Sequence, residues 1–253
     1  MKRALIYFIS FFFIVSLKAD YPLFWQQYAA DPSGIEYNGR LYLFCSHDTY
    51  HPDKGYGYFM RDITCISTDD LKNWTDHGEV FSIENAKWAP RFTWAPCVVF
   101  HEGKFFLYYG NGDQGIGVAT SESPIGPYYD PNDGPIVDFS TPGVLAKDSH
   151  GNLIKNERNV RGALQGSENW GIWCFDPCVW IEDDGQPYMY FGGAHPNNSR
   201  IIKLKSNMVE VDGAAIHPIL PVSLRHPLCI NLKINITIHT PAIISVNLPV
   251  SNM

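Results

Sequence analysis

Three stretches of this 253-residue chain repeat one another, and the repeat constrains the fold more than any other feature. They cover residues 31–44, 95–108 and 176–190. Each opens on a small or acidic residue followed by proline: Asp31-Pro32, Ala95-Pro96 and Asp176-Pro177. Each continues as an apolar strand, reaches a turn dipeptide and returns as an aromatic-rich strand. The dipeptides are Asn38-Gly39, Glu102-Gly103 and Asp184-Gly185. Two-residue hairpin turns need positive φ at both central positions, which is why Asn-Gly and Asp-Gly mark them. A second strand–turn–strand unit trails each repeat, over residues 63–74, 116–128 and 201–208. Two hairpins make a four-stranded sheet, and sheets recurring at this length predict propeller blades. The prolines set the period at 64 and then 81 residues, the longer gap holding a Gly-, Asn- and Ser-rich insertion over residues 138–167. A β-sandwich with coincidental turns is the alternative, and it leaves the threefold recurrence of the whole pattern unexplained. Three blades are too few to close a ring, since propellers have about four to eight.

Composition agrees with an all-β reading. Aromatics make up 14% of the chain, with 21 glycines and 18 prolines, which suits a turn-rich β protein better than a helical bundle or a disordered chain. The net charge is −7 with no basic stripe, so nucleic acid is not an expected partner. Lys2 and Arg3, an apolar run over residues 4–15 and the small residue Ala19 read as an export signal cleaved after Ala19. The protein is therefore expected to be periplasmic or extracellular, monomeric and free of membrane once the signal is removed. The six cysteines have neither disulfide-scaffold nor zinc spacing, and read mostly as buried small apolar residues.

The composition breaks near the C-terminus. Residues 214–253 contain no Phe, Tyr, Trp, Gly, Asp or Glu, where about five aromatics would be expected. Residues 230–238 alternate in a way that permits a strand. We read 1–19 as signal, 20–218 as a partial propeller catalytic domain and 219–253 as an aberrant tail produced by a lost reading frame.

Several phrases together resemble glycoside hydrolase family 43. They are Ala30-Asp31-Pro32, Trp94-Ala95-Pro96, Phe175-Asp176-Pro177 with Glu182-Asp183-Asp184-Gly185 after it, and the run Ser67 to Trp74. The resemblance covers about residues 22–218 and implies a five-bladed β-propeller of which about three blades are encoded here. It implies an inverting hydrolase of terminal α-L-arabinofuranosyl or β-D-xylosyl groups in plant cell-wall polysaccharide. Inverting glycosidases use two carboxyl groups about 6.5–9.5 Å apart, one of which activates a water. By resemblance Asp31 is the general base. Asp176, by the same resemblance, is the auxiliary carboxylate that raises the pKa of the general acid, because a nearby like charge disfavours ionisation. Ala95 at the matching place in the second repeat shows that the position does not require an acid.

Trp94, Trp88 and Phe175 are candidate sugar-stacking residues, with Trp173 beside them, although blade packing claims most propeller aromatics. His47 and Asp48 end a strand and are candidates for the rim. The family's general acid is a glutamate downstream of Asp176. Only Glu182 and Glu210 follow, and neither has the right context, so the acid reads as absent and the chain as inactive. No cofactor is expected. A calcium ion on the propeller axis comes with the resemblance, but no ligand set for it is legible. A propeller that binds carbohydrate without cleaving it, and one that serves only as a protein-interaction platform, are the competing readings.

Overall fold

The computed structural model describes residues 27–53, 58–145, 173–192 and 199–216, together with the backbone of 230–231. The predicted signal, most of the predicted insertion and most of the tail lie outside these residues. What is described is built from strands, apart from one 3-10 turn at Ile83–Asn85. The strands are β1 (Ala30–Tyr37), β2 (Arg40–Asp48), β3 (Met60–Thr68) and β4 (Thr75–Ser82) in the first sheet. The second holds β5 (Trp94–His101), β6 (Lys104–Gly110), β7 (Gly115–Ser121) and β8 (Val137–Asp138). The third holds β9 (Cys178–Ile181), β10 (Pro187–Phe191), β11 (Arg200–Leu204) and β12 (Val211–Ile216). Each sheet is an antiparallel meander in chain order. These are the three blades that the repeat predicts, and one apolar core fills each gap between successive blades. Phe44, Ile63 and Phe81 meet Phe105, Leu107 and Tyr109 in the first gap. Cys97, Tyr108 and Val118 meet Val179, Met189 and Phe191 in the second.

The turns follow the dipeptides with one exception. Asn38 and Gly39 both have positive φ, as do Glu102 and Gly103. The third hairpin is longer, because Ile181 pairs with Pro187 and only Gly185 of the intervening turn has positive φ. Glu182 accepts from the Gly185 amide and donates its own amide to Gln186, which makes a five-residue loop. The second sheet departs further from expectation. Its fourth strand is only the pair Val137–Asp138, reached after a long excursion rather than by direct return from β7. Pro124, Pro127, Pro131 and Pro135 punctuate that excursion and cannot donate to a ladder, so no continuous strand forms. Glu210 stands in the turn between β11 and β12.

Cys45, Cys65, Cys97 and Cys174 are buried and free, as their apolar surroundings suggest. Cys178 is disulfide-bonded, contrary to that pattern. From the tail, Ile230–Asn231 forms β13, which pairs in parallel with Gly34 and Ile35 of β1. It adds a fifth strand to the first sheet, at the edge opposite β4.

Candidate active site

The three repeats start in the same strained backbone conformation. Asp31, Ala95 and Asp176 have φ of 50°, 43° and 51°. The left-handed region costs an ordinary residue about 1–2 kcal/mol, so three repetitions at one repeat position indicate a conformation imposed by the blade. A register shift accompanies it. Ala30 pairs with Ser46 and Trp94 with Gly110, and the ladder resumes only at Ser33 and Cys97. In the third blade Gly192 donates its amide to the Phe175 carbonyl, 2.9 Å away. Each first strand therefore begins with a bulge, the local device that re-aims a side chain out of the pleat.

Two hydrogen bonds set these bulges at one level. The Val98 amide of the second blade donates to the Ser33 hydroxyl of the first, at 3.4 Å. The Val179 amide of the third donates to the Cys97 thiol of the second, at 3.3 Å. Donor and acceptor stand at the same repeat positions both times, so successive first strands run side by side without slippage. Asp31, Ala95 and Asp176 consequently stand at matching ends of neighbouring strands. Asp31 is exposed, while Asp176 is 7% exposed. Burial pushes the Cys45 thiol up to about 12, and the charge of Asp31 adds to the effect, which places that carboxylate near β2.

Trp94 sits at the same end, half-buried, with its indole N–H donated to the Tyr58 carbonyl at 3.1 Å. Tyr58 and Phe92 pack against its ring at 5.8 and 5.5 Å, and the Asn111 carboxamide oxygen accepts from the amides of Arg91 and Phe92 to hold that segment. Phe175, half-buried, packs edge-on against Trp173 at 4.9 Å. A Cβ on Gly110 would lie 3.5 Å from the Phe175 Cα, so the second blade approaches the start of the third closely there.

Trp88 lies elsewhere, packed against the core between the first two blades. Its indole donates to Asp130 at 2.8 Å and stacks on Tyr109, whose hydroxyl donates to the same carboxylate oxygen at 2.7 Å. His47 is committed to Asp62, with Nδ1 2.8 Å from the carboxylate, and Asp48 pairs with Met60 on β3. Glu182 stands in the loop at the far end of β9 from Asp176. Glu210 forms an exposed pair with Lys205, which holds its carboxyl below the usual range. Among the described residues no group of three or more His, Cys, Asp or Glu side chains could hold a metal ion.

Sequence reasoning missed Ser46 and Gly110, and it missed Tyr58 and Phe92 around Trp94. For the first two a signal existed: Cys45-Ser46, Tyr109-Gly110 and Phe191-Gly192 stand at matching places in the three repeats, each with a small residue second.

The model of the glycosyl hydrolases family 43 matches residues 22–152, just over half of the chain. The chain belongs to glycoside hydrolase family 43. Among the relatives of this family 43 chain is an arabinoxylan arabinofuranohydrolase of Paenibacillus polymyxa, 37% identical over 77% of this chain and 31% of the relative. The structure of an α-L-arabinofuranosidase from Clostridium thermocellum superposes with a TM-score of 0.60 at 49% identity, covering 78% of this chain and 58% of that one. A family 43 arabinoxylan arabinofuranohydrolase from Bacillus subtilis, solved with cellotetraose, gives 0.58 at 32% identity over 77% and 41%. The family 43 chain thus spans about a third of the length of the Paenibacillus relative. Its three sheets are blades of the family's propeller.

Proposed function

We propose that this chain supplies the water-activating part of an exported, inverting glycoside hydrolase acting on arabinofuranosyl or xylosyl groups of plant cell-wall polysaccharide. One observation carries the reading. The two acids of the repeat, Asp31 and Asp176, occupy one strained backbone position at one level of adjacent blades, while the blade between them has Ala95 there. A fold that needed acids at this position would have one in every blade.

The roles divide by environment. Asp31 is exposed and can hold a water, so it acts as the general base that takes a proton while the water oxygen attacks the anomeric carbon. Asp176 is buried, where a charge acts on a neighbouring acid with little screening by water, so it serves as the orienting carboxylate. Trp94 and Phe175 flank these positions and offer ring faces to the sugar. The general acid is a different matter. Glu210 is held ionised by Lys205, and Glu182 stands a strand length from Asp176. On this reading the 253-residue chain lacks the proton donor for a natural leaving group.

That last point favours a second reading, in which these blades bind carbohydrate without cleaving it. Incubation of the purified chain with arabinoxylan tests the missing acid: no arabinose or xylose is expected, and measurable release would refute its absence. In a protein that does turn over substrate, Asp31→Ala abolishes turnover and leaves binding little changed. Equal turnover with and without the Asp31 carboxylate would refute its role as the general base.

A further inference from the structure

We infer that the second blade carries a separate polysaccharide-binding site at the end of the sheet opposite Asp31. A cavity of about 400 Å³ opens there, lined among others by Lys104, Thr120, Ser121, Glu122, Ser123 and Tyr129. Sites for small ligands occupy about 300–1,000 Å³. Strand register fixes its place. Trp94 pairs with Gly110 at the Ala95 end of the blade, whereas Lys104 pairs with His101 and Ser121 with Phe105 at the other end. Six to seven residues of strand separate the two, about 20 Å at the usual rise. The blade is flanked by a blade on each side.

Tyr129 offers an aromatic platform among the residues that line the cavity. Tyr129 is 57% exposed, yet its neighbours Tyr128 and Asp130 are buried. In extended backbone alternate side chains face opposite ways, so anchoring both neighbours turns the Tyr129 ring outward. Its backbone is locked as well, exchanging two hydrogen bonds with Thr120 at 2.9 and 3.1 Å. With the backbone fixed, only the two side-chain torsions of Tyr129 are left to be ordered when a ligand stacks on its ring. Around it, Ser121 and Ser123 accept from backbone amides, and a hydroxyl that accepts can still donate. Lys104 and Glu122 set one charge of each sign on the rim, which suits a neutral ligand. A flat apolar face ringed by hydroxyl donors and acceptors, without net charge, is the complement of a sugar ring. The proposal shares with the catalytic reading only the class of ligand.

Native electrophoresis of the 253-residue chain through gels containing soluble arabinoxylan tests this. The chain is expected to be retarded, Tyr129→Ala to lose affinity about five-fold or more, and Tyr129→Trp to keep it. Trp94→Ala, at the opposite end, is expected to retain the part of the binding that depends on Tyr129. No retardation of the parent chain, or undiminished retardation of Tyr129→Ala, overturns the proposal. A second measurement needs no variant: xylohexaose at saturation is expected to protect Tyr129 from nitration, read by peptide mass. Full nitration in its presence also overturns the site. Neither result depends on turnover, so failure of the catalytic reading would be seen separately.

Discussion

The backbone amide of Ala95 donates a 2.8 Å hydrogen bond to the hydroxyl of Ser46, joining the second blade to the first at the level of Asp31. Ser46 is fully buried. Its hydroxyl answers an amide that the left-handed bulge turns away from its own sheet. Ser46→Ala leaves that amide unpaired at about 1–2 kcal/mol. Urea unfolding should show a lower midpoint with an unchanged slope, since the surface exposed on unfolding stays the same.

Ala95 itself is strained at φ 43°. Glycine adopts that conformation without the Cβ clash, though it loses more freedom on folding. Ala95→Gly is therefore expected to stabilise the chain by about 0.5–1 kcal/mol, although Gly in a strand usually weakens it. Thermal unfolding reads the sign directly.

Gly117 faces the buried Tyr109 ring. A Cβ there would lie well inside contact distance of the ring carbon Cζ and 2.6 Å from the tyrosine hydroxyl oxygen, which is fixed by its bond to Asp130. Neither group can yield without breaking that bond. Gly117→Ala should cost about 2–3 kcal/mol, the upper part of the range for overpacking. Tyr109→Phe in the same background should recover part of the loss, because the ring is then no longer tied to Asp130 and can shift away from the added methyl.

Asp130 introduces a pH dependence. Burial raises its pKa, against the opposing hydrogen bonds from Trp88, Asn132 and Tyr109. The folded state then holds this proton more tightly than the unfolded state does. The contribution of Asp130 to stability is full below the ordinary carboxylate value of about 3.9 and is lost as pH rises through the higher folded value. Asp130→Asn removes that term. The difference in unfolding midpoint between the two proteins should change across this window and be flat above it.

The architecture was legible because a proline, a positive-φ turn pair and alternating apolar strands recur together, and each has a local physical cause. The candidate pair, Asp31 and Asp176, stood out through the same alignment, which set Ala95 against two acids. The repeat favoured Trp94, which precedes Ala95-Pro96, but it gave no reason to discard Trp88. Both stand near a proline on the approach to β5, and only tertiary packing commits the Trp88 indole to Asp130. The short β8 was hidden for a different reason: prolines break the ladder, but nothing local marks where it resumes. The disulfide at Cys178 was equally hidden, since the same repeat position holds Ser33 and Cys97, which serve as hydrogen-bond acceptors.

The most direct test of the account uses a leaving group that needs no proton. Dinitrophenolate departs unaided, so a chain with its base but without its general acid should still cleave dinitrophenyl arabinofuranoside or xyloside while failing on arabinoxylan. The account predicts slow release with inversion at the anomeric carbon, reduced about 10²-fold or more in Asp31→Asn. Equal rates for the parent chain and Asp31→Asn would contradict it.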